Sequence, residues 1–242
     1  MVIRDWSSDV CSSDLREARR LQKSGKKLSP IRLEGSKIAK SFWGKAWCDN
    51  LESYSDYENR LPRGRSYVRS GAVLDLQIRP GEVTALVSGS SLYHIKITVR
   101  PVATAAWRAL KRECAGQVHS LMDLLLGRLS GPVMEVMTRP KTGLFPKPAE
   151  IGLSCSCPDW ADMCKHVAAA LYGVGSRLDE SPELLFALRG VDHAELISEA
   201  TASTAAPAPH DAPTLDDDAI ADVFGIEIEQ APAAPPPPAP TQ

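Results

Sequence analysis

Residues 151–172 read Ile-Gly-Leu-Ser-Cys155-Ser-Cys157-Pro-Asp-Trp-Ala-Asp-Met-Cys164-Lys-His166-Val-Ala-Ala-Ala-Leu-Tyr172. Three of the six cysteines of the chain fall within ten positions, and a histidine follows the third by two residues. Alternate residues of a strand point to one face, so Cys155 and Cys157 on a short strand at 151–156 reach the same point in space. Pro158 cannot donate to a ladder and turns the chain. Cys164 and His166 would lie roughly 200° apart on a regular helix, so they converge only if one of them is outside it. The spacing predicts Cys164 in the loop or at the N-cap of a helix over about 165–176, with His166 in its first turn and Asp162 competing for the cap. Three thiolates and an imidazole on one point are a tetrahedral donor set for structural Zn2+.

Other chemistries use these residues less completely. A Cys-x-Cys redox pair has no need of Cys164 and His166, and a disulfide is unusual in a reducing cytosol. A Cys-His nucleophilic dyad needs an orienting third group and a substrate pocket, and the neighbouring sequence suggests neither. A catalytic zinc keeps an open coordination position, whereas four protein ligands close the tetrahedron. One structural Zn2+ held by Cys155, Cys157, Cys164 and His166 is the expectation.

The pattern Cys155-x-Cys157, six residues, Cys164-x-His166 resembles the SWIM zinc finger, which reads C-x-C, a variable spacer, then C-x-H. Four further stretches resemble bacterial SWIM zinc finger proteins whose genes often neighbour Swi/Snf-type helicases. They are Phe42-Trp-Gly-Lys-Ala-Trp-Cys-Asp-Asn-Leu51, Asn59-Arg-Leu-Pro-Arg-Gly-Arg-Ser-Tyr-Val68, Val83-Thr-Ala-Leu-Val-Ser-Gly89 and Val223-Phe-Gly-Ile226. The resemblance covers roughly residues 16–200 plus the tail motif. It implies zinc binding, with DNA, RNA or a Swi/Snf-type helicase as partner, and it implies no enzymatic activity. Residues 1–15, MVIRDWSSDVCSSDL, depart from it: the stretch is rich in Ser and Asp, has no clean period, and resembles translated sequencing adapter. Native sequence is expected from Arg16.

Working outward, Arg16–Lys27 predicts a basic exposed helix that frays near Gly25. Ile38, Phe42, Trp43, Ala46, Trp47, Leu51 and Tyr54 recur at helical spacing and predict an amphipathic helix over 36–59, capped by Ser36, with its aromatic stripe in the core. Leu61-Pro-Arg-Gly-Arg65 reads as a break. Tyr67–Ile78, Val83–Ser88 and Tyr93–Val99 are rich in β-branched residues and are separated by Pro80-Gly81 and Gly89-Ser90-Ser91, the pattern of an antiparallel meander. Thr104–Ala115, Ser120–Arg128 and Pro132–Met137 read as helices with Trp107, Leu110, Leu121, Leu124 and Leu125 inward. Short helices are expected again at Pro182–Arg189 and Asp192–Glu199.

The expected fold class is α+β. The expected division is a basic α+β domain at 16–138, a linker at 139–150, a zinc-stabilised strand-loop-helix finger with a helical extension at 151–200, and an acidic tail at 201–242. That tail holds 9 of the 19 prolines and 11 alanines, too little apolar surface to offset chain entropy, so disorder is expected. Within it Asp218–Glu229 is an acidic-hydrophobic island of the kind that folds on a partner.

The chain has 242 residues, 43% hydrophobic and 24% charged, an ordinary globular composition. No apolar run reaches the roughly 18 residues that cross a bilayer, so no membrane role is expected. Without a secretory leader or a dense cysteine framework, the expected location is cytoplasmic. The net charge of −2 conceals +10 over residues 1–150 and −12 over 151–242. Residues 16–69 alone carry 14 Lys/Arg against 6 Asp/Glu. Lys37, Lys40 and Lys45 on one helix, with Arg60, Arg63, Arg65 and Arg69 around the loop after it, make a candidate phosphate-contacting stripe; a solvated helix face is the competing reading. The acidic tail either docks to a protein partner or folds back on the basic surface. An enzyme is not expected: Cys48, Asp49 and His94 are isolated, no phosphate-binding glycine loop occurs, and no small-molecule substrate is implied.

Overall fold

The computed structural model describes residues 12–53, 60–118 and 120–197. Its strands are β1 (Val73–Arg79), β2 (Glu82–Ser88), β3 (Leu92–Val99) and β4 (Ile151–Cys155). The helices are α1 (Ser12–Lys23), α2 (Phe42–Glu52), α3 (Leu61–Arg69), α4 (Thr104–Cys114), α5 (Leu121–Leu126), α6 (Gly131–Thr138), α7 (Lys165–Glu180) and α8 (Glu183–Leu188). The α+β class holds. The expected disordered tail at 201–242 lies outside the described residues.

The meander forms where alternation and turn chemistry place it. In β3, Tyr93, Ile95, Ile97 and Val99 are buried while His94, Lys96 and Thr98 face out. Pro80 and Gly81 link Arg79 to Glu82, and Gly81 has φ +71°, the left-handed position that a proline-glycine turn assigns to glycine. The unexpected feature is β4. It pairs antiparallel with β3, setting Ile95 opposite Cys155, Ile97 opposite Leu153 and Val99 opposite Ile151. The sheet order is therefore β1-β2-β3-β4, and the strand that carries the first metal ligand belongs to the same sheet as the meander.

Against this sheet lies α7, buried along nearly its whole length from His166 to Gly175. A helix apolar all round needs partners on every side, and α7 has them: it contacts β1, β2, β3 and β4 as well as α2 and α3. Small residues permit the approach. A Cβ built on Gly64 of α3 would stand 2.5 Å from the Ala168 Cβ, and one on Gly175 would stand 2.7 Å from the Cys48 sulfur of α2. At its C-terminal end, the Asp179 carboxylate accepts from the Lys40 amide (2.6 Å), the Ser41 amide (2.9 Å) and the Ser41 hydroxyl (2.6 Å). The Ser41 oxygen accepts in turn from the Gly44 amide at 3.1 Å. Carboxylate and hydroxyl together satisfy the start of α2, where the helix dipole favours negative charge.

The N-cap of α2 is Ser41 rather than Ser36, because Asp179 holds the chain extended up to that point. Leu61–Arg69 is helix rather than break: Pro62 sits in the first turn, where its missing N–H costs nothing, and Gly64 is the contact with α7. Tyr67 therefore belongs to α3 rather than to β1. The stretch 139–150 is no free linker, since Leu144 and Phe145 are buried. The buried Arg189 guanidinium also holds it, donating to the Leu144 carbonyl (3.0 Å), the Arg100 carbonyl and Glu150 Oε2 (3.1 Å). The separate basic domain and finger are thus joined by one sheet and one core. Leu121 faces outward, unlike Trp107, Leu110 and Leu124. The helix α1 begins inside the adapter-like stretch, and its Asp14 is buried, accepting from the Ser88 hydroxyl at 2.6 Å and the Gly89 amide at 3.3 Å.

Gly64→Ala should lower stability by about 1–3 kcal/mol, because the α3–α7 backbones must separate. Gly131→Ala, at the open first turn of α6 where a Cβ meets nothing within 4 Å, should be neutral or slightly stabilising. Urea unfolding of the two variants tests the close approach; equal midpoints would refute it.

Candidate metal centre

Four side chains converge where β4 ends and α7 begins. The ligand atoms of Cys155, Cys157, Cys164 and His166 all lie within 4.8 Å of one another. His166 Nδ1 stands 3.7 Å from the Cys164 sulfur and 4.0 Å from the Cys155 sulfur. A zinc–sulfur bond of about 2.3 Å implies a tetrahedral edge of about 3.8 Å, so the donor set fits the ion. The local backbone accounts for the convergence. Cys155 closes β4, and Cys164 is the N-cap of α7 in extended conformation (φ −79°, ψ 171°). His166 is the second helical residue, the resolution that the two-residue spacing demanded. Among the described residues this is the one cluster of metal-ligating side chains of its kind.

Electrostatics explain why a cation belongs there. Burial pushes the Cys155 and Cys164 thiols upward, with neighbouring cysteines contributing. Burial, with Lys165 second, lowers His166 to about 4, so its imidazole is neutral at physiological pH and free to coordinate. Thiols that resist ionisation in their pocket become thiolates when a divalent ion supplies the opposing charge, and binding releases their protons. His166 is oriented by packing. Its ring stacks on Tyr93 at 4.2 Å and meets Tyr67 edge-on at 5.4 Å. The Nε2 atom is buried without a hydrogen-bond partner among the described residues. Gly89 completes this pocket, for a Cβ there would fall 2.9 Å from the Tyr93 ring and 3.0 Å from Nε2.

Residues 144–174 match the family model described as SWIM zinc finger. The chain carries a SWIM zinc finger. The match begins at the buried Leu144, seven residues before β4, and so takes in residues 144–150 of the segment that composition alone assigned to a linker. The chain is also similar to the uncharacterized protein Rv2102 of Mycobacterium tuberculosis, with 38% identity over 177 residues, 71% of this chain. It spans 64% of the length of that relative. No solved structure matches the chain.

The SWIM loop between the ligand pairs is fastened to α3. Arg60, the residue before that helix, forks onto Asp159 with nitrogen–oxygen distances of 3.1 and 3.4 Å, a charge-assisted geometry. Met163 points into the core while Trp160 is 92% exposed. The positions expected to form a phosphate-contacting stripe divide into two groups. Arg60 is committed to Asp159, and Arg65 to Glu52 (2.6 Å) and the Tyr172 hydroxyl (3.1 Å). Lys37, Lys40, Lys45, Arg63 and Arg69 are exposed. Of these Lys45 lies on α2 and Arg63 and Arg69 on α3, whereas Lys37 and Lys40 precede α2, so the single-helix stripe does not form. Lys40 stands 4.0 Å from Glu34 and Arg69 donates to the Ser36 carbonyl. Sequence reasoning passed over Tyr67, Tyr93 and Gly89, whose role arises from contacts distant along the chain. It also passed over Trp160, which a signal marked: a lone indole between two aspartates in a loop with no core period.

Cys48 and Cys114 are not ligands. Burial, reinforced by neighbouring carboxylates, pushes Cys48 up to about 12 and Cys114 up to about 11. At pH 8 the zinc-loaded protein should therefore alkylate at neither. Chelation, which opens the junction of β4 and α7 and releases its thiols from burial, should expose Cys155, Cys157 and Cys164 to iodoacetamide ahead of those two, as the order of modification in peptide mapping reads out. The shared sheet makes a second prediction. Cys164→Ser, or metal removal, should reduce amide-exchange protection in β2 and β3 together with 151–180. Loss confined to 151–180 would mean that the finger unfolds as a separate module.

Proposed function

We propose that this zinc-binding protein is a non-enzymatic interaction module whose exposed basic surface contacts DNA or RNA. The carrying observation is the division of the cations. Lys37, Lys45 and Arg63 project into solvent, while Arg60 and Arg65 hold the framework through Asp159 and Glu52. Residues 16–69 supply a net +8, enough to neutralise several phosphates and release their counterions. A closed Cys3His centre leaves no coordination position for substrate or water, which supports a role in binding rather than catalysis.

The second reading is an adaptor that docks to a Swi/Snf-type helicase through the finger and the acidic tail. A separate observation, outside the finger and the tail, favours a protein partner: on α5 Met122 is 64% exposed beside the exposed Leu121 and Leu126. Surface of this kind marks protein contacts when it is contiguous.

Binding of the zinc-loaded chain to labelled DNA and RNA across a salt series tests the first reading. The affinity should fall steeply with salt. Replacing Lys37, Lys45, Arg63 and Arg69 with alanine should flatten the slope by about 0.7–0.9 for each phosphate no longer neutralised. Arg60 and Arg65 are left intact because their loss would disturb the fold. Absence of binding at low salt would reject the nucleic-acid reading and transfer the test to the helicase, with Met122→Glu as the disabling substitution.

A further inference from the structure

Within the described residues no large apolar side chain is more exposed than Trp160, and its position is imposed rather than incidental. The loop that presents it is closed at both ends by metal ligands. It is tied in the middle by the Arg60–Asp159 fork and by the Ala161 amide donating to Asp159 Oδ1 at 3.2 Å. Met163 anchors the far side in the core. A loop so restrained holds the Trp160 backbone away from the core, and it presents a flat aromatic face at little further cost in chain entropy.

Cations and a second ring lie on α3 and α7, the two elements that flank this loop. Arg60 at the start of α3 meets the loop directly. Arg63 follows one turn later on the same side, and Tyr67 one turn after that. The Lys165 ammonium, from the first residue of α7, sits 5.3 Å over the Tyr67 ring. Of the acidic groups on the loop, Asp159 is taken up by Arg60 and Asp162 is exposed. Phosphate attraction must therefore come from Arg63, Lys165 and the wider basic surface, and the contact at Trp160 itself is one of stacking.

We propose that Trp160 is a stacking platform for an unpaired base, so that the nucleic acid held beside the zinc centre is single-stranded DNA or RNA. The inference rests on the nucleic-acid reading above and narrows it. Bases in a duplex are already stacked and show only their edges, whereas an unpaired base offers a π-face to any accessible ring. Stacking is also insensitive to salt, which separates it from the cation contacts.

The test is fluorescence anisotropy with labelled oligo-dT, oligo-rU and a duplex, each of about 20 nucleotides, against the full zinc-loaded chain and its Trp160→Ala and Trp160→Phe variants. Trp160→Ala should weaken binding to both single strands by about five- to hundred-fold, with the salt slope unchanged. Trp160→Phe should recover much of that loss, and duplex binding should be unaltered. Because the side chain is exposed, all forms should keep their zinc. A difference between the dT and rU arms identifies which sugar the site prefers, and the inference stands with either. If the native chain binds but Trp160→Ala binds single strands equally well, or loses duplex in equal measure, the stacking role is overturned and the nucleic-acid reading survives. If the native chain binds none of the probes at low salt, that reading falls and the inference with it.

Discussion

A helix buried on every side constrains the whole of this structure. α7 has to be enclosed by the sheet on one flank and by α2 and α3 on the other, and its alanines and glycines set how closely each can come. Gly64 meets Ala168, Gly175 meets Cys48, and Gly173 meets Ile31 and Leu76. Two tryptophans secure the surrounding helices by burying their indoles while satisfying their N–H groups. Trp47 donates to the Leu171 carbonyl of α7 and Trp43 to the Leu124 carbonyl of α5, each at 2.8 Å. The arrangement joins apolar burial to hydrogen-bond satisfaction, which buried indoles need.

The metal centre stands at the N-terminal end of that helix, so it acts as a clasp between the last strand of the sheet and the element that fills the core. Two ligands come from β4 and its turn, two from the cap and first turn of α7. In many small fingers the ion substitutes for a hydrophobic core. Here a core exists, and an ion held by these four ligands would tie the start of the helix to the end of the sheet. The ring of His166, held between Tyr93 and Tyr67 against Gly89, couples the coordination geometry to β3 and α3. The polar lock formed by Glu52, Arg65 and Tyr172 couples α2, α3 and α7 in a similar way: the Tyr172 hydroxyl donates to Glu52 at 2.7 Å, and the Arg65 guanidinium bonds to both.

The cations of this protein divide into two groups. Some cations are structural, such as the buried Arg189 that binds the 144–150 segment and Arg60 that fastens the zinc loop. Others, including Arg63 and Lys45, are exposed. Net charge by itself makes no such distinction, because it sums committed and uncommitted groups alike. The same loop that Arg60 fastens holds Trp160 outward, so a framework ion pair and an exposed aromatic face arise from one piece of local geometry.

The sequence by itself determined the features that depend on short spacing. Alternation and Pro-Gly chemistry placed the meander. Helix periodicity required Cys164 outside the helix of His166, and the structure has it at the N-cap. Cys155 and Cys157 also converge, but β4 ends at Cys155 and the turn after it, not strand alternation, carries Cys157 to the site. Only the tertiary structure decided the rest. Leu61–Arg69 looks like a break because Pro62 and Gly64 disfavour helix interiors, yet a proline is harmless in a first turn and Gly64 is needed against a helix about a hundred residues away. The 139–150 segment looks like a linker because Pro and Lys dominate it, yet Leu144 and Phe145 are buried and Arg189 holds the Leu144 carbonyl and the Glu150 carboxylate. The pairing of β4 with β3 merges what composition had divided. The physical reason is common to all three: backbone propensity and donor spacing act over a few residues, whereas burial, close approach and strand pairing join segments far apart in the chain and exist only once the core has formed.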